Sequence, residues 1–474
     1  LSKEKRMSAA NTDLVSIKRF LPAILGTAIF MQMLDSTILN TSLPAIARDL
    51  NESPLNMQNA VVSYVLTLAL FMPVSGFLAD KFGTRKTFMT ALVIFSLGSV
   101  FCAMSQSLNQ LIISRVVQGL GGSLMTPVGK LALIKTFDKN ELLRAMNYAI
   151  IPALIGPVLG PLVGGYMVDY LSWHWIFLIN VPIGLLGIAL SIRYMPDYRA
   201  ALSGFDMKGF LFFASASLML SISLEMLGHS QTITIVLLIF ILGFLMLYFY
   251  YRHARKSDNP IFPLNLFQVR TFRVGILGNL ATRLGISAVP LLLPMMVQIA
   301  YGQSAVVSGW IIAPMALTAM IGKPAVVRIL DNFGYRNTLL VNTTIIGILI
   351  FCLGLPGADT NIYWFVPMLA ALGFFNSIQF TAMNTISIAD LRNNQTSPGN
   401  SLVSVNQQLA VGFGIAAGLT VLKAFEASPI VGGDIHVAFK YTFFVAGALT
   451  VISAAVFRRL HPLDGRNLKS AGSR

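Results

Sequence analysis

Charge is what this chain has least of. Only 11% of its 474 residues are Asp, Glu, Lys or Arg, against about 25% in an ordinary soluble domain. A protein of this length needs a charged surface to stay dissolved, so the deficit excludes a water-bathed globule and points to lipid. Cysteine is nearly absent too. Cys102 and Cys352 both fall inside apolar runs with no CxxC or Cys/His cluster nearby, which excludes a disulfide framework and a zinc site. They read as buried, inert thiols. The histidines (His174, His229, His253, His436 and His461) are scattered toward the ends of runs, with no HExxH and no Ser/His pair. No metal centre or catalytic residue is expected, and the chain does not read as an enzyme. Gly119, Gly121 and Gly122 lie inside an apolar run with no strand before them, which argues against a nucleotide fingerprint.

Apolar residues are abundant: 55% of the chain, with a mean hydropathy of +0.71. Runs long enough to cross a hydrocarbon layer of about 30 Å recur along the whole length. They fall near 19–43, 56–79, 86–104, 108–133, 143–169 and 174–194, then 207–227 and 232–251. The rest fall near 272–300, 306–330, 338–356, 362–389, 398–424 and 439–459. In lipid the backbone must pair internally, so these fourteen runs predict an all-α integral membrane protein. The polar start and the long first run do not read as a cleavable signal peptide. The 32 Phe and 21 Met fit lipid contact and packing.

The net charge of +15 suggests nucleic acid only until its distribution is read. With a cytoplasmic N-terminus, nearly all basic residues fall in cytoplasmic loops. Arg48, Lys423 and Lys440 lie on the other side, and Arg115, Lys130, Arg283 and Lys323 lie within runs. This is the positive-inside pattern, with both termini cytoplasmic and no nucleic-acid partner.

An internal repeat organises the runs. Asp80, Phe82, Gly83 and Arg85 recur 251 residues later as Asp331, Phe333, Gly334 and Arg336. Six runs precede a middle pair and six follow it. The expectation is two six-helix bundles, 19–194 and 272–459, joined by an inserted transmembrane hairpin, 207–251. Parallel repeats of this kind build transporters.

Several segments resemble one family. GFLADKFGTRK (76–86) is similar to the signature loop of the major facilitator superfamily, and LDSTILNTSLPAI (34–46) resembles the first-helix motif of its 14-helix drug:proton antiporter branch. RVVQGLGGS (115–123), PALIGPVLGPLVGG (152–165) and SWHWIFLINVPIG (172–184) agree, except that His174 stands where Arg is usual. The chain as a whole resembles the bacterial MdtD-type exporters. The resemblance implies a monomeric inner-membrane exporter of small molecules. It would work by alternating access, exchange cargo for protons and need no cofactor beyond the proton gradient.

The residues fit that implication at specific points. Asp35, in the outer half of the first run, is costly to keep charged in a membrane. Placed in a water-filled cavity it can take up and release a proton; alternatively it is a structural group bonded to a neighbouring helix. Arg115, with Gln118 on the same face, stays charged and needs acceptors. The resemblance ties it to the first helix and to proton coupling, and an inter-helix strut is the other reading. Gly76 and Gly83 are expected to permit close approach and a tight turn, with Asp80 facing a neighbouring helix N-terminus or pairing with Arg85 or Lys86 as part of a gate. Gly156, Gly160 and Gly164, with Gly165 and the backbone-loosening Pro152, Pro157 and Pro161, form a smooth stripe expected to seal a seam between the halves.

The second half shows a different chemistry. Arg283, beside Asn279 and Thr282, joins Asn376, Gln379, Asn384, Asn406 and Gln407 in a polar set. With Gln118 these residues are the expected substrate cavity. No carboxylate is expected deep in this half, so Arg283 favours an organic anion such as a polycarboxylate or siderophore-like metabolite, unless it is a strut. Glu225 and His229 near the hairpin's outer turn read as a solvated helix end. A non-transporting membrane sensor is the remaining alternative, and it would need a signalling domain or a long structured tail.

Overall fold

The computed structural model describes residues 2–200, 204–227 and 233–465, all of it helix, turn or loop with no strand. His229 lies outside the described residues. The helices are α1 (Ser2–Asp49), α2 (Gln58–Phe71), α3 (Val74–Phe82), α4 (Thr84–Ala103), α5 (Leu108–Thr136), α6 (Lys139–Tyr170), α7 (Trp175–Leu178) and α8 (Asn180–Tyr194). Then come α9 (Met207–Met226), α10 (Ile233–Ala254), α11 (Arg270–Ile286), α12 (Val289–Ile299) and α13 (Ala305–Ile321). The last are α14 (Lys323–Cys352), α15 (Phe365–Ile388), α16 (Asn393–Glu426) and α17 (Ile435–Ser453).

Among the described residues, twelve helices are long and apolar enough to cross a membrane, and thirteen if α2 and α3, bent by 58° at Met72–Pro73, count as one. The sequence pointed to fourteen. The difference lies at 306–330. Gly322 and Pro324 divide that run between α13, 17 residues long, and the start of α14. Other breaks have the same origin. Pro182 and Pro290 stand in the first turns of α8 and α12, where a missing N–H costs little. Large apolar side chains face outward, most plainly along α10, where Leu237, Leu238, Ile241 and Phe244 are exposed. Such a surface suits hydrocarbon.

The chain folds as two compact units. The first comprises Leu1–Leu50 and Phe71–Ser203, the second Asn51–Leu70 and Gly204–Arg474. In the first, α4 and α5 approach so closely that a Cβ on Gly98 would stand 2.6 Å from the Cα of Gln118. In the second, the inserted pair is tied to α16, where the Thr420 hydroxyl donates to the Leu224 carbonyl at 2.8 Å. The core where α11, α14 and α15 meet is built from Val274, Leu339, Ile378, Ile386 and Phe457.

Candidate functional site

Four helices of the first unit converge on one carboxylate. Asp35 of α1 is 1% exposed, and so is Arg115 of α5. Arg115 Nη1 donates to Asp35 Oδ2 at 2.6 Å and to Gln118 Oε1 at 2.6 Å. On the other oxygen, Asp35 Oδ1 accepts from Gln118 Nε2 at 2.7 Å and from Asn180 Nδ2 at 2.9 Å. Ser99 of α4 accepts from the same two amides, at 2.8 and 3.3 Å. Cys102 Sγ lies 3.7 Å from Gln118 Oε1, and the Phe177 ring covers the guanidinium at 5.9 Å. Taking two charges out of water costs several kcal/mol per ion, so such a pair persists only with good geometry and further hydrogen bonds. Both conditions are met.

Of the two readings of Asp35, a group in a water-filled cavity or one bonded to a neighbouring helix, this structure has it bonded to neighbouring helices and sealed. One expectation changes. Gln118 was expected to line the substrate cavity, but it is fully buried and serves the ion pair. Sequence reasoning missed Ser99 and Asn180. The available signal for Asn180 was a lone amide inside the apolar stretch WIFLINVPIG.

The glycine stripe explains how α1 is held in register. Cβ atoms on Gly156, Gly160 and Gly164 would meet α1 in turn: Leu34 N at 3.1 Å, the Thr37 hydroxyl, and Ile38 O at 2.6 Å. Pro152 packs on Gly26, and Thr41 donates to the Pro161 carbonyl at 3.5 Å. Pro157 is half-buried on the same helix and Gly165 is buried. The seam these residues form is therefore between α6 and α1 of one unit, where the sequence pointed to a seam between the halves. Its physical effect is to fix the stretch of α1 that carries Asp35.

The signature loop turns at Gly83, whose φ of 94° and ψ of 149° suit glycine alone, and a Cβ there would strike the Asp197 carboxylate. The loop clasps the segment after α8. Thr84 N donates to Tyr198 O at 3.0 Å, its hydroxyl donates to Pro196 O at 2.8 Å, and Arg85 Nε donates to Met195 O. Asp80 pairs with Lys135 at the end of α5, 3.7 Å away, in place of the expected Arg85 or Lys86. Gly76 is exposed, and a Cβ there would meet nothing within 4 Å, so it makes no close approach.

The repeat holds in the second unit. Gly334 has φ 72° and ψ 164°, close to Gly83, and interrupts α14 just after Asp331. Its neighbour across the turn is again a Pro-containing segment after the last helix, with the Pro462 carbonyl 4.0 Å from a Cβ on Gly334. Arg336 departs from Arg85, for its Nε is buried without a hydrogen-bond partner among the described residues. We expect Gly83→Ala to destabilise the protein by about 1–3 kcal/mol, the cost of holding a side-chain-bearing residue in a backbone region essentially reserved for glycine. Gly76→Ala should stay within about 0.5 kcal/mol of the parent. Apparent melting temperatures in detergent compare the two.

The second unit contains a small polar cavity of ≈ 10 Å³, room for about one water. Asn279, Arg283, Asn376, Gln379, Asn384 and Gln407 line it, together with Thr282, Ile286, Phe380 and Met383. Arg283 Nε donates to Asn279 Oδ1 at 2.8 Å, and its guanidinium lies 5.7 Å from the Phe380 ring centre. Among the described residues no carboxylate pairs with Arg283. Asn279 Nδ2 is buried and has no hydrogen-bond partner among the described residues, while Gln407 donates to Asn384. Asn406 stands apart: its amide donates to the Ile276 carbonyl at 3.1 Å and braces α16 on α11.

Comparison with known proteins agrees with this architecture. A "transport protein" designated HsrA from Haemophilus influenzae is 39% identical over 452 residues, covering 95% of this chain and 98% of the relative. A multidrug resistance designation, MdtD, is carried by relatives from Pectobacterium atrosepticum and Escherichia coli K12. Each is 39% identical, covering 93% and 95% of this chain and 95% and 96% of the relative. Among solved structures, a D-xylose-proton symporter superposes with a TM-score of 0.66 at 15% identity, covering 93% of this chain and 96% of that one. The nucleoside transporter NupG superposes with a TM-score of 0.66 at 11% identity, covering 92% and 99%. The sequence profile of the Major Facilitator Superfamily matches residues 25–415 and 275–473. With a multi-pass helical fold repeated in its two loops, the chain belongs to the Major Facilitator Superfamily and is a membrane transporter, not an enzyme.

Proposed function

We propose that this transporter exports small molecules in exchange for protons by alternating access, with Asp35 as the group that takes up and releases the proton. The observation that carries this reading is the sealed Asp35–Arg115 pair, 2.6 Å apart and 1% exposed. Arg115 stays protonated at any working pH, so Asp35 is the member able to change charge. A buried acid that alternates between neutral and paired can bias a two-state protein by the interactions it gains and loses. In this scheme a proton entering from outside neutralises Asp35 and favours cargo release, and return to the inside expels it. The chain acts as a monomer in the bacterial inner membrane with both termini cytoplasmic. It uses no cofactor, and its partners are cargo, protons and lipid. Proteoliposomes with an imposed pH gradient test the reading. Uptake of cargo should collapse when an ionophore removes the gradient, and uptake that persists unchanged would refute it.

A second reading concerns the cargo and rests on Arg283. A guanidinium among amides, with no carboxylate beside it, suits an oxyanion. On this reading Arg283→Ala abolishes transport of a citrate-like polycarboxylate while sparing efflux of a lipophilic cation. Equal loss of both assigns Arg283 to a structural strut.

A further inference from the structure

The shell around Asp35 contains an asymmetry that the proton-coupling role does not by itself explain. As drawn by its hydrogen bonds, the carboxylate receives donors only: Arg115 on Oδ2, Gln118 and Asn180 on Oδ1. That arrangement fits the ionised acid. Once protonated, the acid carries an O–H that needs an acceptor, and leaving it unbonded in a dry interior is costly. Oδ2 is taken by the guanidinium, so the proton belongs on Oδ1. Two amides face that oxygen. Gln118 cannot turn its oxygen inward, because Oε1 already accepts from Arg115 at 2.6 Å. The Ser99 hydroxyl donates to the Phe95 carbonyl at 3.0 Å and accepts from both amides. Asn180 differs: it is fully buried and its Oδ1 has no partner among the described residues.

We propose that Asn180 is a positioning residue that reads the protonation state of Asp35, offering Nδ2–H to the carboxylate and, after a half-turn of its amide, Oδ1 to the protonated acid. The half-turn interchanges two groups of nearly equal size and gives up the 3.3 Å bond from Nδ2 to the Ser99 hydroxyl. The proton comes from water on whichever side is open and rests on Asp35 Oδ1; no other bond is made or broken. Asn180 is well placed for this. It opens α8 directly after the break at Ile179 that separates α8 from α7, with Pro182 following in the same turn. The charged and titratable groups facing Asp35 are Arg115 of α5 and Cys102 of α4. The stretch of α6 that meets α1, 149–165, carries no titratable residue, and those of α8, Arg193 and Tyr194, lie at its far end.

This inference rests on Asp35 being the coupling acid, and the test separates the two. Infrared difference spectra between acid and alkaline pH are recorded on the full protein in liposomes, with asparagine carbonyls isotope-labelled. On acidification the wild type should gain a carboxylic-acid band and, with it, an asparagine carbonyl band moved to lower wavenumber as Oδ1 gains a hydrogen bond. Asp35→Asn should lose both. Asn180→Leu should lose the amide change and move the acid band to higher wavenumber, and Asn180→Thr, whose hydroxyl both donates and accepts, should restore it. An acid band lost in Asp35→Asn with no accompanying amide change in the wild type overturns the proposal even if no Asn180 variant folds. If instead Asp35→Asn keeps proton-driven transport, the coupling role of Asp35 fails first, and the proposal with it.

Discussion

Replacing Asp35 with Asn should leave a transporter that folds and binds cargo but cannot be driven by a proton gradient. The amide keeps an oxygen for Arg115 and nearly the same shape, so α1, α4, α5 and α8 retain their meeting point. What disappears is the charge and the ability to change it. Removing one partner of a buried ion pair leaves the other uncompensated, at a cost of about 3–5 kcal/mol. The oxygen kept for Arg115 offsets part of that loss, but the new Nδ2–H2 faces the Gln118 donor and loses its hydrogen bond. Arg115→Ala should be the more damaging change to stability, because it strands a carboxylate that is 1% exposed. In proteoliposomes, gradient-driven uptake by Asp35→Asn should fall to that of empty vesicles. Retention of wild-type uptake would remove Asp35 from the cycle.

The second large effect should come from the α6 seam. A Cβ on Gly164 would stand 2.6 Å from the Ile38 carbonyl, which is backbone and cannot rotate away. Gly164→Leu therefore has to push α1 off α6. Overpacking a tight interior commonly costs about 1–3 kcal/mol, and this contact should reach or exceed the upper end. The displaced segment includes Asp35, so transport should fail even where the protein still inserts. Gly160→Ala, whose Cβ would stand 2.9 Å from Thr37 Cβ and 3.1 Å from Ile38 N, should also press on α1, but less than leucine because it adds a single methyl group. Apparent melting temperature and gradient-driven uptake, measured together, separate a packing defect from a coupling defect.

Much of this was legible from residue order alone. The apolar runs follow from lipid thickness, and the loop repeat, traced from Asp80 to Arg85 and Asp331 to Arg336, reappears as matching backbone turns at Gly83 and Gly334. Asp35 and Arg115 stand out because charge is expensive inside a membrane. Partnerships were harder to read, since they depend on which helix faces surround a residue. Asn180 and Ser99 join Asp35 only because α4, α5 and α8 pack closely enough to bring them within 3 Å or slightly more. Gln118 shares a face with Arg115 in either reading, yet only the packing of α1 on α5 decides that it bonds inward. Asp80 meets Lys135 for the same reason: the end of α5 lies beside α3, a fact of tertiary structure. The apolar run at 306–330 hid a break at Gly322 and Pro324, which leaves α13 with 17 residues.

The most direct test of the coupling scheme is proton release. Cargo is added to purified protein in weakly buffered detergent solution over a series of starting pH values, and the change in bulk pH is followed. If cargo and proton exclude one another through Asp35, the wild type should release protons on binding and Asp35→Asn should release none. Equal release by both proteins, or none by a wild type that demonstrably binds cargo, would contradict the scheme.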